Sequence, residues 1–207
     1  MNDSLALLGL ATTPLELISF VLAVVTVLLN IRQSHWAWLF SILSSATYAL
    51  VFFDARLYGD TGLQLVFIGL SVWGWRQWLK VKVRVKVGNG GAALKVSRLS
   101  RRGWRLSVAG WLAGFGVLAW FLHQYTDTDV PRIDGFLTAG SLLGQSLLAR
   151  KKLENWYVWI AVDVLYVGLY LYKNLMLTAI LYAIFIALAL AGLRAWRRVE
   201  MAEQGQR

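Results

Sequence analysis

The chain has 207 residues, of which 58% are hydrophobic and 15% charged, with a mean hydropathy of +0.56 and a formal net charge of +10. Soluble domains carry about 25% charged residues, so this composition argues against a soluble domain and indicates that lipid surrounds the chain. The absence of cysteine excludes disulfides and thiolate metal sites. The excess of Lys and Arg is interpreted as a signal of membrane topology and not of nucleic-acid binding.

Seven stretches are apolar and long enough to cross a bilayer as helices, since a hydrocarbon core of about 30 Å requires about 20 residues. In chain order they cover residues 14–31, 36–53, 58–79, 104–123, 132–149, 155–172 and 175–196. Pro14 and Pro131 stand at the start of the first and fifth stretches, a position where helices tolerate proline. The sequence therefore predicts an all-α membrane protein with seven transmembrane helices.

Basic residues are concentrated in the loops on one side of these spans. The largest group lies in loop 80–103, smaller groups follow the fifth and seventh spans, and the single residue Arg32 follows the first. The positive-inside rule then places the N-terminus outside and the tail 197–207 in the cytoplasm. Within the loop, the alternation of Val81–Val87, followed by GNGG and LKVSRLS, predicts a small hairpin. A basic strip that binds anionic headgroups is an equally good interpretation.

The chain repeats itself at an offset of 118 residues. The window from Trp38 to Trp78 overlays Trp156 to Trp196 without a gap, and eleven of the 41 pairs are identical. Such repeats in membrane proteins usually build two halves around a solute path. Residues 14–79 and 131–196 are predicted to form two three-helix bundles that face the same way, because the single span 104–123 between them acts as a linker helix.

Asp163, near the middle of the sixth span, is the strongest candidate for a functional residue. A carboxylate at the centre of a span costs about 2.5–3.5 kcal/mol, and no Lys or Arg lies at comparable depth in any span. Its partner is therefore expected to be a cation from solution, although a neutral carboxyl bonded to Ser or Tyr is the alternative. Asp163 shares one helix face with three aromatic residues, Trp159, Tyr166 and Tyr170. The repeat places four residues on the matching face of the second span, Ser41, Ser45, Tyr48 and Phe52.

Two amides, Gln64 and Gln145, lie within the third and fifth spans and can both donate and accept hydrogen bonds. They suit a ribose or a carboxamide, or alternatively bond helix to helix. Four tryptophans near the ends of the third and seventh spans are interpreted as an interfacial belt: Trp73, Trp75, Trp78 and Trp196. Five glycines are predicted to allow close helix approach: Gly110, Gly114, Gly116, Gly140 and Gly144.

No phosphate-binding loop, protease motif or nucleophile–base pair is present in the sequence. An enzyme is therefore the least expected class, and no metal or cofactor is expected.

At these residues the sequence resembles PnuC, the family of bacterial nicotinamide riboside transporters. The likeness is carried by LYGDTGLQLVF (57–67), GWRQW (74–78), ENWYVWI (154–160) and LYLYKNLMLTAILY (169–182). It implies a SWEET-like fold in the bacterial inner membrane, facilitated diffusion of the vitamin, trapping by cytoplasmic phosphorylation and a homotrimer. It also implies roles for Gln64 and for the pair Trp156 and Trp159. Asparagines of some members are replaced here by Ser44, Asp163 and Ala191.

The hypothesis is a passive transporter that holds nicotinamide riboside between the two bundles. Trp159 would stack on the ring, Asp163 would offset its charge, and Gln64 would bond its polar arm. The remaining substrate-binding candidates are Trp156, Tyr166, Tyr48, Ser45 and Gln145. Thiamine or another vitamin or nucleoside is the alternative substrate, since a thiazolium is also a flat cation. A ligand sensor that signals through the basic loop, and a channel, are the alternatives of another class.

Overall fold

The computed structural model describes residues 5–7, 10–12, 14–54, 58–86, 94–126, 128–172 and 176–204. Its helices are α1 (Pro14–Ile31), α2 (Ala37–Asp54), α3 (Tyr58–Lys86), α4 (Arg101–Tyr125), α5 (Pro131–Ala149), α6 (Asn155–Tyr172) and α7 (Met176–Gln204). Two short strands, β1 (Leu5–Leu7) and β2 (Leu10–Thr12), pair antiparallel ahead of α1. The prediction of seven helices is confirmed, and all seven starts and five of the seven ends lie within three residues of those expected.

Helices α3 and α7 extend beyond their predicted ends, and each has 29 residues. At 1.5 Å per residue they are about 43 Å long, so both project past a hydrocarbon layer of about 30 Å. The extension of α3 shows that the hairpin prediction is wrong, because residues 81–86 are helical. Adding a turn to an existing helix costs little free energy compared with starting a new element. This advantage outweighs the preference for strands that the alternating pattern indicates. The glycine-rich residues 88–91 lie outside the described part of the chain.

The helices pack as two equivalent triplets. Helix α2 contacts α1 and α3, and α6 contacts α5 and α7. The triplets meet along α1 with α7 and along α3 with α5. Because the repeat relates α1 to α5 and α3 to α7, these two contacts are one interface repeated about a pseudo-twofold axis. Helix α4 packs against α5. The fold is thus two parallel three-helix repeats joined by a linker helix, as predicted.

The described part of the chain has two helical segments that are long and apolar enough to cross a membrane, Arg101–Tyr125 and Thr178–Glu203. Leu17–Ile31 and Ala37–Leu50 are shorter apolar helical segments. No residue of α4 is buried, and large side chains such as Leu106 and Val117 are 63% and 65% exposed. Such an apolar outer surface fits lipid and not water.

Four tryptophans from the two repeats form one buried group, here called the tryptophan cluster: Trp38, Trp78, Trp156 and Trp196. Trp38 meets Trp78 edge-on with ring centroids 5.4 Å apart, and Trp156 meets Trp196 in the same way at 5.5 Å. Trp78 and Trp196 then meet at 6.4 Å across the pseudo-twofold axis. The prediction of an interfacial belt is wrong for Trp78 and Trp196, which are 6% and 0% exposed, because both repeats turn these rings inward.

Each tryptophan at a helix start lies against a glycine of the next helix. A Cβ atom at Gly74 would lie 2.4 Å from the Trp38 ring, and one at Gly192 would lie 2.5 Å from the Trp156 ring. Among the glycines predicted to allow close approach, Gly140 and Gly144 do contact neighbouring helices, through Trp111 and Val162 and through Trp159. Gly114 has ordinary contact with Ala139. The prediction is wrong for Gly110 and Gly116, which have open space where a side chain would be.

The repeat extends to the ends of α1 and α5. Gln33 and Lys151, which are 118 residues apart, both adopt left-handed backbone conformations, with φ of 53° and 49°. Gln33 follows α1 and turns the chain towards α2, and Lys151 follows α5 and turns the chain towards α6. The Lys151 ammonium donates a hydrogen bond to Oε1 of Gln33 at 3.0 Å, so the two equivalent turns meet near the axis.

Candidate functional site

The inner face of α6 carries the candidate residues in order along the helix. Asp163 is 4% exposed, and in the described part of the chain it forms no ion pair. Its carboxyl group lies within electrostatic range of the hydroxyl groups of Tyr166 and Tyr182. The surroundings of this carboxyl are therefore aromatic and hydroxylic, and the described residues there offer no cation.

Three tyrosines of α6 and α7 form a group next to Asp163. The ring centroid of Tyr166 lies 4.6 Å from that of Tyr182 and 5.8 Å from that of Tyr170. The ring centroids of Tyr170 and Tyr182 are 5.2 Å apart. Tyr48, from the first repeat, lies within electrostatic range of Tyr182. The structure thus brings Tyr48 and Tyr166, two of the predicted site residues, to the same region from opposite bundles.

Trp156 and Trp159 lie towards one end of this face. Trp156 is 2% exposed and belongs to the tryptophan cluster. Trp159, one turn further along, is partly buried and packs both against that cluster and against Gly144 of α5. The predicted pair Trp156 and Trp159 therefore extends from the tryptophan cluster towards Asp163 along α6. Of the two, the partly buried Trp159 is nearer to Asp163.

Gln145 connects the two bundles. Its Nε2 atom donates to the hydroxyl of Ser71 at 3.2 Å and to that of Ser41 at 3.4 Å, and the two hydroxyls are 2.9 Å apart. Ser45 is buried one turn beyond Ser41 on α2, and Gln64 is partly buried on α3. No described contact joins Gln64 to Asp163. The Gln145 amide, which is predicted to bind substrate, is thus hydrogen-bonded here to two serine hydroxyls across the interface between the bundles.

The two repeats differ most at this level of the molecule. At the offset of 118, Asp163 replaces Ser45, Trp159 replaces Ser41, and Tyr182 replaces Gln64. One half of the interior is therefore lined by hydroxyls and amides, and the other by a carboxyl and aromatic rings. This asymmetry fits a ligand with one flat face and one hydroxylated end.

Hydrogen bonds between the bundles close one end of the interior. Nε1 of Trp78 donates to the carbonyl of Ala149 at 3.1 Å, and Nε1 of Trp196 donates to the carbonyl of Asn30 at 3.1 Å. The Lys151 ammonium lies 4.8 Å from the centroid of the Trp78 ring. Burial lowers the pKa of this ammonium, and Glu203 opposes that shift. This closure is absent from the sequence predictions, although the identical tryptophans in both repeats are a signal for it.

Two open surface pockets lie along α4, away from Asp163. One of about 740 Å³ lies between the end of α4 and the start of α5, and one of about 390 Å³ lies beside Trp104 and Arg105. Asp163 is 4% exposed, so a ligand reaches its carboxyl group only when the side chains around it move.

Comparison with known proteins gives several matches. A riboflavin/roseoflavin transporter, RibM, of Streptomyces davaonensis is 26% identical over 182 residues, covering 87% of this chain and 83% of its own. The nicotinamide riboside transporter PnuC of Neisseria mucosa is 26% identical over 82% of this chain and 66% of its own length. PnuC of Escherichia coli is 21% identical over 77% and 74%.

A crystal structure of the vitamin B3 transporter PnuC superposes with a TM-score of 0.71 at 23% identity, covering 89% of this chain and 81% of that one. This similarity confirms the fold. The sequence profile described as nicotinamide mononucleotide transporter matches residues 13–198, which is most of the chain. The protein therefore belongs to the nicotinamide mononucleotide transporter family, a family of membrane transporters, and the resemblance to PnuC is confirmed.

Proposed function

We propose that this protein carries nicotinamide riboside across the bacterial inner membrane by facilitated diffusion. The observation on which the proposal rests is Asp163, a buried mid-helix carboxyl beside aromatic rings that has no cationic partner among the described residues. A flat cation supplies the missing charge. Cation–π contact with a ring such as Trp159 adds about 0.5–2 kcal/mol, so charge and shape are recognised together.

The same charge argument favours the riboside over the mononucleotide. A phosphate group within the membrane needs a cation or several donors, and no Lys or Arg lies at the depth of Asp163 in any span. The hydroxyls of Ser41 and Ser71 and the amides of Gln145 and Gln64 suit a neutral ribose instead. Phosphorylation in the cytoplasm would then trap the vitamin, because the phosphorylated product no longer fits the interior.

The mechanism we propose is alternating access. The positive-inside rule places the tryptophan cluster at the cytoplasmic end, so the contacts that close this end hold the cytoplasmic exit shut. Rocking of the two bundles about their shared interfaces would break these contacts and open the exit. By resemblance to the family, the assembly is proposed to be a homotrimer, which light scattering of the purified protein would test.

Riboflavin is the second candidate substrate, because RibM matches 87% of the chain at an identity equal to that of the Neisseria PnuC. The tyrosine group of Tyr166, Tyr170 and Tyr182 offers enough aromatic surface for a larger ring system. The two substrates differ in charge: the pyridinium of the riboside is cationic, whereas the flavin ring is neutral. A test that changes only the charge at position 163 therefore separates them.

The test is uptake of each labelled vitamin into liposomes that contain the purified protein. Asp163→Asn keeps the shape of the side chain but removes the charge, so riboside uptake should fall at least about tenfold, while riboflavin uptake should change little. Trp159→Ala should lower riboside uptake about two- to thirtyfold through the lost cation–π contact. Asp129→Asn, at an exposed position, is the charge-matched control and should leave uptake unchanged.

Riboside uptake that survives both Asp163→Asn and Trp159→Ala would contradict this site. Uptake of riboflavin but not of the riboside by the unchanged protein would replace the first candidate with the second. Thermal unfolding with each vitamin gives an independent measure, since only a ligand that binds the folded state raises the unfolding temperature.

A further inference from the structure

Helix α4 begins with a concentration of positive charge. Arg101, Arg102 and Arg105 are exposed and lie within its first five residues, behind the capping residue Ser100. The helix start itself carries about half a positive charge, and no acidic residue lies in the first turn. The ion pair found among the described residues, Arg98–Glu200, leaves these three guanidiniums without a carboxylate. An anion at this end of the helix would relieve the repulsion.

A shallow surface groove, formed by one face of α4 alone, continues from these arginines along the apolar side of the helix. Its volume is about 390 Å³, and it is lined by Trp104, Arg105, Val108, Ala109 and Leu112. From residue 105 to residue 112 the helix rises about 10 Å, which is within one leaflet of a bilayer core of about 30 Å. The indole of Trp104 marks the level where headgroups meet acyl chains. The groove therefore has a charged end and an apolar end in the order found in a phospholipid.

We propose that this groove is a binding site for a phospholipid with an anionic headgroup. The phosphate and headgroup would lie against Arg105 and Arg101, and one acyl chain would follow Val108, Ala109 and Leu112. A second copy of the chain fits less well, because a protein surface packed here would bury unpaired guanidiniums, which is costly. The site is independent of the substrate, since it lies on the outer surface of the linker helix.

Native mass spectrometry of the full-length protein in detergent tests the site directly. Phosphatidylglycerol and phosphatidylcholine with identical acyl chains are titrated, and the anionic lipid should be retained preferentially. Arg105→Gln should lower that preference about fivefold, since one arginine near an anionic lipid surface contributes about 1 kcal/mol of binding free energy. Arg76→Gln removes an arginine that is also exposed, on α3 and outside the groove, and should leave the preference unchanged.

Ala109→Trp fills the groove and should reduce retention of both lipids, which identifies the acyl-chain contact. Glycerol phosphate, which has the headgroup chemistry without chains, should fail to compete; competition would show that the site recognises the phosphate alone. Equal retention of the two lipids, or a preference unaffected by Arg105→Gln, would overturn the proposal. Loss of an oligomer in Ala109→Trp with lipid retention unchanged would assign the groove to a second copy instead.

Discussion

The small space beside Trp38 and Trp156 limits which residues can replace Gly74 and Gly192. A methyl group at Gly192 would lie 2.5 Å from the Trp156 ring, far inside van der Waals contact, whereas Gly110 has open space. We expect Gly192→Ala to destabilise the protein by about 1–3 kcal/mol through overpacking and Gly110→Ala to have no steric cost. Thermal unfolding in detergent measures both. Equal unfolding temperatures for the two variants would show that Trp156 moves aside freely.

The hydroxyl of Ser71 tests how much the polar contact between the bundles contributes. Ser71 is fully buried and bonds both Ser41 and Gln145, whereas Ser146 bonds only a carbonyl of its own helix in the described contacts. Ser71→Ala should cost about 0.6–1.7 kcal/mol, between the average and the maximum found for hydrogen bonds between membrane helices. Ser146→Ala is the matched control. If the control lowers the unfolding temperature equally, the bridge through Gln145 adds no specific stability.

The segment Leu94–Ser100 attaches the end of the basic loop to the second bundle. Ser97 exchanges backbone hydrogen bonds with Lys151 and Leu153, and Val96 is buried against the tryptophan cluster. Arg98 pairs with Glu200 of α7 through two hydrogen bonds, at 2.7 and 2.9 Å. The loop therefore ends in a fixed structural contact, and residues 94–100 pair with another part of the chain instead of completing their own hairpin.

The two side chains of the Arg98–Glu200 ion pair differ in exposure, so their single substitutions should differ in their effect on stability. The side chain of Glu200 is 6% exposed and that of Arg98 is 61% exposed. Arg98→Gln leaves a buried carboxylate without its partner, so it should lower the unfolding temperature more than Glu200→Gln, which leaves an exposed guanidinium. The double variant should resemble Glu200→Gln alone. Additive losses in a double-mutant cycle would show that the two side chains act independently.

Sequence periodicity and the repeat were sufficient to predict the helices and their parallel arrangement, because lipid demands long apolar helices and a repeat demands similar packing. The repeat also contains information that hydrophobic periodicity alone lacks. Their position near the ends of the spans assigns Trp78 and Trp196 to the membrane surface, whereas their identity in both halves indicates a shared interior role. The contacts of Gln145 with Ser41 and Ser71 could not be predicted, since they depend on how two bundles meet and not on any local pattern.

Opening of the whole molecule requires the bonds across the tryptophan cluster to break. Trp78 and Trp196 each donate one such bond, to Ala149 and Asn30, and replacement by phenylalanine keeps a ring while removing the donor. One hydrogen bond contributes about 1 kcal/mol, so each substitution should increase the population open at this end about fivefold. Trp75→Phe is the control, because the Nε1 of Trp75 has no partner among the described residues.

The chain has no cysteine of its own, so a single cysteine can report this opening without background labelling. Ser45→Cys places a thiol at a position that is 9% exposed, on the inner side of the cluster. In inside-out vesicles, an impermeant thiol reagent should label it about fivefold faster when either donor is removed. Because the two bonds are related by the pseudo-twofold axis, both substitutions should have similar effects. Faster labelling in only one of them would mean that the bundles open asymmetrically, and no change in either would mean that these bonds do not hold the exit closed.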